Sequence, residues 1–402
     1  MGRTSVPADT LSFPISRDTG NPLDPPALYA KLRDSDPVTR VTLPTGDQAW
    51  LVTRFEDIRA AFLDLRFSSD MTHPGYPRFY VPGERQPGAF VAMDPPDHTR
   101  YRRTVATWFT SRAAEKLRPW IQGIVDELID RLLVGPRPVD LVASYASLLP
   151  QMVICEFLGV PFPDRDKFGA WILLLIERDG TPEEQAAAFT GLIEYMHVLV
   201  EAKEQAPTDD LLGKLAEVHI ANGELTRQEV VVIGLMMLSA GFDTTASSIA
   251  LGVLALLENP DQLERLRADP ELIEPAVDEI LRFQNTMQFG VGRVAAEDIE
   301  LGGQLIKAGE GVVLLTPSAG RDGTAYPEPE KFDIGRAGPD PMTFGHGIHN
   351  CVGKFLARVE LQVAIGTLVR RAPGLRLTKP ATELPYRDNS LVYSPRELEV
   401  TW

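Results

Sequence analysis

Cysteine is nearly absent from this chain: Cys155 and Cys351 are the only two in 402 residues. A disulfide framework is excluded, and a reducing, cytoplasmic setting is expected. Positive charge is also in short supply. Forty Lys+Arg stand against 56 Asp+Glu, a formal net charge of −16. Nucleic acid, which selects concentrated basic surface, is therefore not an expected partner. The N-terminal stretch MGRTSVPADTLSFPISRDTGNPLDPP is polar and proline-rich, with no apolar core of the kind that targets or anchors a chain. The longest apolar stretch, Val230–Phe242, is broken by glycines and too short to span a bilayer unaided. No membrane association is expected. No Gly/Ser tract, low-complexity run, charge block or internal repeat marks a linker. Residues 1–402 are thus expected to form one domain, although the length alone would accommodate two or three.

What is present is ordinary globular composition, 44% hydrophobic and 24% charged, and a predominantly helical pattern. Short helices are expected over Pro26–Asp34 and Phe55–Leu63, with a β-like piece, Pro37–Thr53, between them. Ser68–Phe90, rich in Pro, Gly and aromatics, reads as a long irregular loop, a type that often serves as a lid or binding loop. Helical patterns follow from Asp97 to Phe283, with breaks near Gly135–Pro138, Pro161–Asp164, Asp179–Pro182 and Ala206–Asp209. One segment, Thr226–Asn259, is unusually long. Thr226 and Glu229 have capping-box spacing, and apolar residues on every side place this helix in the core. Short β-like runs at Val291–Ala295 and Gly311–Thr316 come next. A meander over Tyr326–Met342, a Gly/His-rich loop, a last helix near Val352–Arg371 and a strand-like tail, Leu375–Trp402, complete a mainly α fold with a minor β portion.

The segment Phe344-Gly-His-Gly-Ile-His-Asn-Cys-Val-Gly353 carries the densest chemistry. Its glycines permit positive φ and close approach to a flat ligand. Cys351 sits where loop becomes helix, so helix N–H groups are placed to favour a thiolate. Cys155, within the apolar Val153–Val160, reads as an inert small hydrophobe. Zinc is the rival reading of His346, His349 and Cys351. It lacks a second ligand cluster among His73, His98, His197 and His219.

This segment resembles the haem-binding loop of the cytochromes P-450, Phe-Gly-x-Gly-x-His/Arg-x-Cys-x-Gly, at every fixed position. Ala357 and Arg358 continue the family's usual helix, whereas Asn350 and Lys354 are less usual occupants of variable positions. The resemblance implies a haem b whose iron takes Cys351 as its axial ligand and lies between the long central helix and the Cys loop. Phe344 and Gly353 would flank the ligand, and His349 would contact a haem propionate. Glu279-Ile-Leu-Arg282 on its own is an i, i+3 ion pair, usually solvated. Its place before Cys351 resembles the family's structural Glu–Arg pair, completed by Arg336 in the meander.

Ala240-Gly-Phe-Asp-Thr-Thr245 puts a glycine and hydroxyl residues in mid-helix, either a tolerated irregularity or a used one. It resembles the family's oxygen-binding kink. Thr244 would bend the helix and hydrogen-bond dioxygen or its water, and Asp243 would relay protons from solvent. Met93-Asp-Pro-Pro-Asp-His-Thr-Arg-Tyr-Arg-Arg103 begins a helix on which His98 and Arg102 share a face. Taken bare they are surface residues; in the family they bind propionates, as Arg293 would from a strand.

The motifs together span residues from about 20 to 400 and imply a haem-thiolate monooxygenase. Asp243 and Thr244 speak against a peroxide-driven or non-oxygenating enzyme and against a haem carrier. With no flavin or nicotinamide motif, electrons are expected from a separate iron–sulfur ferredoxin and its reductase. That ferredoxin would dock on a basic patch of Arg103, Arg112, Lys354 and Arg358 over Cys351, and the chain is expected to be a monomer. The expected substrate pocket includes Ser239, Ala240, Gln288, Phe289, Gly290 and Val291, with the helices between Pro163 and Lys203 and the tail near Asn389–Val392. Ser239 and Gln288 offer polar contacts, and Gly290 with Gly292 leaves room above the haem unless those glycines only serve a bulge. The expectation is a large secondary metabolite such as a macrolide or polyene, over a small terpene or fatty acid.

Overall fold

The computed structural model describes residues 11–79, 86–165, 169–171, 174–175 and 181–402. Parts of the expected Ser68–Phe90 loop, of the Asp179–Pro182 break and of the Pro163–Lys203 helices lie outside these. Twelve α-helices are named among the described residues. They are α1 (Leu28–Ser35), α2 (Phe55–Leu63), α3 (Asp97–Ala106), α4 (Ser111–Val134), α5 (Leu148–Leu158), α6 (Pro182–Gln205), α7 (Leu211–Lys214), α8 (Arg227–Glu258), α9 (Pro260–Ala268), α10 (Ile273–Phe283), α11 (Thr316–Ala319) and α12 (Lys354–Arg371).

The long helix α8 organises the rest. Thr226 caps it, its hydroxyl accepting the Glu229 N–H at 3.2 Å while the Glu229 carboxylate accepts the Thr226 N–H at 2.6 Å. The same carboxylate accepts the Tyr101 hydroxyl at 2.5 Å and Arg100 Nη1 at 3.1 Å. The cap thereby fixes α3 against the start of α8. From there Val230, Ile233, Leu238, Phe242, Ile249, Val253 and Leu256 are buried in one core with α4, α5, α6, α10 and α12. The helix is 32 residues long, with a window of mean hydropathy 1.5, so length and composition alone would let it cross a bilayer. Its bounds agree with the long core helix expected over Thr226–Asn259, although the expectation that the uninterrupted apolar stretch ends at Phe242 understated its apolar length. Two-thirds of that window (67%) is buried inside the protein, which makes it a core helix.

A six-stranded sheet forms the minor part. Strands β1 (Leu11–Ser12), β2 (Val38–Thr42), β3 (Gln48–Val52), β4 (Phe67–Ser68), β6 (Val291–Ala295) and β9 (Gly311–Leu314) lie in the order β1-β2-β3-β9-β6-β4. In the antiparallel β6–β9 pair Arg293 sits opposite Val312. One face packs Trp50 and Val312 against Phe62 of α2; the other packs Phe13, Tyr29 and Phe289. The sheet thus carries Arg293 towards the Cys loop, and α2 carries Phe62. The expected tail strands are the short β10 (Arg376–Leu377) and β11 (Glu399–Thr401), joined to β5 (Val139–Asp140). β7 (Ile299–Leu301) and β8 (Gln304–Ile306) form a separate hairpin. Two π-helical stretches, Val142–Ala146 and Leu215–Ile220, were not foreseen, because apolar spacing does not separate a widened turn from an α-turn.

Candidate active site

The Cys loop is built by positive φ and by its own amides. Gly345 and Gly347 have φ of 66° and 70°. A Cβ on Gly347 would stand 2.5 Å from the Phe62 carbonyl oxygen, so this position demands glycine. Asn350 Nδ2 donates to Phe344 O at 3.2 Å and Gly345 O at 3.0 Å, and the Cys351 N–H donates to Phe344 O at 2.8 Å. Asn350 therefore braces the loop. Cys351 is exposed on a cleft, just before α12. Protein packed around its sulfur pushes the thiol pKa up, while the Gly353 N–H, Arg102 and Lys354 pull it down. The balance is upward, against the expectation that the helix start alone favours the thiolate. Ionisation is left to a bound cation, which deprotonates a coordinating thiol outright. Among the described residues no group of three or more His, Cys, Asp or Glu is placed to hold a metal, so His346, His349 and Cys351 do not make a zinc site.

Beside the cleft the structure gathers four nitrogen-bearing side chains. His98 and His349 have ring centroids 4.1 Å apart. Burial lowers the His98 pKa to about 4, with Arg102 adding to the effect. Burial, then Arg293, His98 and Arg102, lower that of His349 to about 3. Both ring nitrogens of His98 are buried without a hydrogen-bond partner among the described residues. Arg293 is buried; its Nη1 donates to Gly292 O at 2.7 Å, its guanidinium lies 5.4 Å from the Phe62 ring centroid, and desolvation lowers its pKa. Arg102 donates to Asn350 O at 2.5 Å. Neither arginine forms an ion pair with a carboxylate among the described residues. Such a cluster calls for anionic groups from elsewhere. The residues therefore fit a haem: a soft thiolate donor in Cys351, and near it four nitrogen donors in want of anions.

The middle of α8 carries the Ala240–Thr245 segment. Ser239 and Ala240 are exposed while Met237, Leu238 and Phe242 beside them are buried, so one side of this turn is left uncovered by the core. Thr244 Oγ1 donates to Ala240 O at 2.7 Å, and Ser239 Oγ to Met236 O at 3.3 Å. The helix is continuous over 227–258, so the expected kink is at most the local effect of this back-bond. Asp243 points elsewhere. Its carboxylate accepts Arg387 Nη1 at 2.7 Å and the Ser247 hydroxyl at 3.4 Å, within the protein. It is not open to solvent, as a simple relay would be. Burial raises its pKa and Arg387 opposes. Arg387 was missed in the sequence because the tail has no periodicity to show which way it points.

The structural triad forms as expected. Glu279 binds Arg282 at 2.6 and 2.8 Å and Arg336 at 3.1 Å, with all three buried or nearly so. The two guanidiniums also donate to Pro329 O, Glu328 O and Lys331 O, closing the meander onto α10.

Three pocket expectations are corrected. Gln288 Nε2 donates to the backbone oxygens of Arg387, Asp388 and Ser390. Its amide holds the tail and does not offer a ligand contact. Phe289 stacks on Phe79, centroids 5.4 Å apart, in the cluster on the far face of the sheet. Gly290 has φ of 69°, and a Cβ there would lie 2.3 Å from Leu314 O; backbone geometry, not room for a ligand, requires this glycine. Likewise a Cβ on Gly292 would lie 2.8 Å from the Tyr76 ring. Val291 is half-buried against the α2 side of the sheet. On the outer face, Arg103 and Arg112 are exposed, and the Lys354 ammonium lies 4.9 Å from the Phe355 ring centroid. Arg358 instead pairs with Asp278 at 2.8 Å and lies over the Phe344 ring, so its charge is already matched.

Residues 184–401 match the family model described as Cytochrome P450. The chain is 44% identical over 402 residues to cytochrome P450 GfsF of Streptomyces halstedii, covering 98% of this chain and 97% of the relative. It is 41% identical over 381 residues to mycinamicin IV hydroxylase/epoxidase of Micromonospora griseorubida, covering 93% and 94%. The crystal structure of GfsF superposes with a TM-score of 0.93 at 43% identity, over 98% of this chain and 100% of that one. A structure of CYP105P1 in complex with filipin I gives 0.91 at 39%, over 98% and 99%. These likenesses establish that the chain belongs to the cytochrome P450 family of haem-thiolate monooxygenases.

Proposed function

We propose that this monooxygenase oxidises a large polyketide-type secondary metabolite by hydroxylation or epoxidation. Two relatives carry names that support this, one for mycinamicin IV hydroxylation and epoxidation and one for a complex with filipin I. The observation that carries the reading is exposure where the core would otherwise close: Cys351 is exposed at the end of its loop, and the small side chains of Ser239 and Ala240 are exposed in the middle of an otherwise buried helix. Gly290 and Gly292 do not contribute to the width of the pocket, because a Cβ on either would meet Leu314 O or the Tyr76 ring.

When bound, the haem supplies the oxidising chemistry, one oxygen atom passing to substrate and the other to water at the expense of two electrons and two protons. This chain's residues do the rest. Cys351 would hold the iron, and the Phe344 and Asn350 contacts fix the loop that carries its sulfur. His98, Arg102, Arg293 and His349 would receive the propionates, offsetting the desolvation of the buried cations. Ser239 and Ala240 leave space for substrate. Thr244 carries its hydroxyl in the same turn as Ala240, and Asp243, one residue before it, would take up a proton and pass it on.

Electrons come from an external donor, read here as an iron–sulfur ferredoxin fed by a flavin-dependent reductase. It docks over Cys351, against Arg103, Arg112 and Lys354. The protein works as a monomer in the cytoplasm.

The test is to incubate the holoenzyme with ferredoxin, reductase, NADPH and isotopically labelled dioxygen against a panel of macrolactones, polyenes, terpenes and fatty acids. Incorporation of one labelled oxygen into a macrolactone or polyene is the expected result. Turnover confined to terpenes or fatty acids would overturn the substrate class.

A further inference from the structure

The end of α3 and the segment that leads into α8 stand apart around a cavity of about 360 Å³, a volume within the range of small-molecule sites. None of the active-site residues described above lines it. One wall holds Thr104, which is buried and donates its hydroxyl to Tyr101 O at 2.8 Å. Beside it is Trp108, its ring set edge-on to Phe157 with centroids 5.7 Å apart. The opposite wall is Lys214, the last residue of α7, with Leu215, Val218 and His219 from the π-helical stretch that follows. Widened turns of this kind are rare and are frequently found at functional sites.

Hydrogen bonds hold the two walls at this spacing. The Tyr101 hydroxyl donates to the Glu229 carboxylate and Arg100 Nη2 donates to Glu224 O, each at 2.5 Å. From the far wall, His219 O accepts the Glu224 N–H at 2.9 Å and the Leu225 N–H at 3.0 Å. The cavity is therefore preformed, and a ligand entering it need not order its walls.

The lining has two kinds of chemistry. Trp108, Leu215 and Val218 are apolar, and Val218 is 43% exposed. Lys214 and His219 bring nitrogen donors, and among the described residues no carboxylate belongs to the lining, although the chain as a whole carries a net charge of −16. Their present partners stand outside it: Lys214 meets Glu217 at 2.8 Å and His219 meets Glu224 at 2.6 Å, both carboxylates half exposed. Exposed pairs of this kind contribute little and reopen readily, and an ammonium has donors to share with a second anion. We propose that this cavity is a second small-molecule site, separate from the haem site, that takes a small aromatic carboxylate. The ring lies against Trp108, Leu215 and Val218, and the carboxylate meets Lys214 and His219.

The experiment titrates 2-naphthoate, and 2-naphthamide as its uncharged counterpart, into the oxidised holoenzyme by calorimetry. Melting temperature and the Soret band are recorded alongside, for wild type, Val218→Trp, Lys214→Gln and His219→Gln. The expected result is a single naphthoate bound per chain, a raised melting temperature and an unmoved Soret band. The amide should bind on the order of ten-fold more weakly, because it forgoes the charge-assisted hydrogen bonds. Lys214→Gln should weaken naphthoate by a similar factor and His219→Gln by less, whereas Val218→Trp fills the cavity and should abolish binding. Should Val218→Trp not fold, Lys214→Gln decides the matter. No naphthoate binding up to about 1 mM, equal affinity for the amide, affinity unchanged in Val218→Trp or Lys214→Gln, or a Soret band that moves with binding would overturn the inference. No turnover is measured, so an error in the proposed substrate class leaves this result intact.

Discussion

His98 and His349 face each other with ring centroids 4.1 Å apart and an interplanar angle of 46°, and Arg102 depresses the pKa of both. Burial is the larger cause of both shifts and leaves the two imidazoles neutral. The guanidiniums of Arg102 and Arg293 stay charged and without a carboxylate partner among the described residues, so anions placed among them are favoured. Arg293→Gln should therefore weaken haem retention more than it weakens the fold. One charge-assisted hydrogen bond contributes about 1.5–3 kcal/mol, so haem transfer to excess apomyoglobin should accelerate on the order of ten-fold or more. Unchanged transfer kinetics would remove Arg293 from the propionate set.

Glu279 holds two buried guanidiniums at once. Glu279→Ala leaves Arg282 and Arg336 without a counter-charge, which costs about 3–5 kcal/mol, together with the Asp333 N–H bond to the same carboxylate. The expected outcome is a sharp loss of thermal stability and of haem content, measured by melting and by absorbance. A variant that melts like the wild type would show the triad to be dispensable.

Glu360 in α12 is fully buried, and its Oε2 has no hydrogen-bond partner among the described residues. Burial raises its pKa from 4.5 to about 8. Between those values the native state keeps a proton that the unfolded chain releases. The stabilising contribution is whole below pH 4.5 and lost as pH rises through about 8. Glu360→Gln removes this dependence, so its melting temperature should fall less than that of the wild type between roughly pH 5 and roughly pH 9, by about a few degrees. Parallel curves would contradict the assignment.

Much of this was legible because local signals agreed with the fold. The Thr226–Glu229 cap, the Phe55–Leu63 helix and the Cys loop each declare themselves within ten residues, and the Glu279–Arg282–Arg336 triad followed from a known pattern. What stayed hidden depends on contacts distant in sequence. Arg387 meets Asp243 across 144 residues, and the Gln288 amide finds tail carbonyls some 100 residues away. Gly290 shows the same limit from the other side. A glycine required by positive φ and the approach of Leu314 O cannot be told, in sequence, from one that makes room for a ligand.

Arg112 and Lys354 carry the proposed docking of the electron donor, whereas Arg358 is matched by Asp278. Arg112→Glu and Lys354→Glu should each slow reduction by ferredoxin on the order of ten-fold at low salt, with the difference narrowing as salt rises. Arg358→Gln should chiefly lower stability. Stopped-flow reduction separates the two effects. Equal rates for wild type and both reversals would place the donor elsewhere.

The central claim is thiolate ligation by Cys351, and the carbon-monoxide spectrum of the reduced protein, with Cys351→His alongside, tests it most directly. A band at about 450 nm in the wild type and its absence from the variant is the predicted result. A wild-type band at about 420 nm instead, or a Cys351→His variant that keeps the 450 nm band, would contradict it.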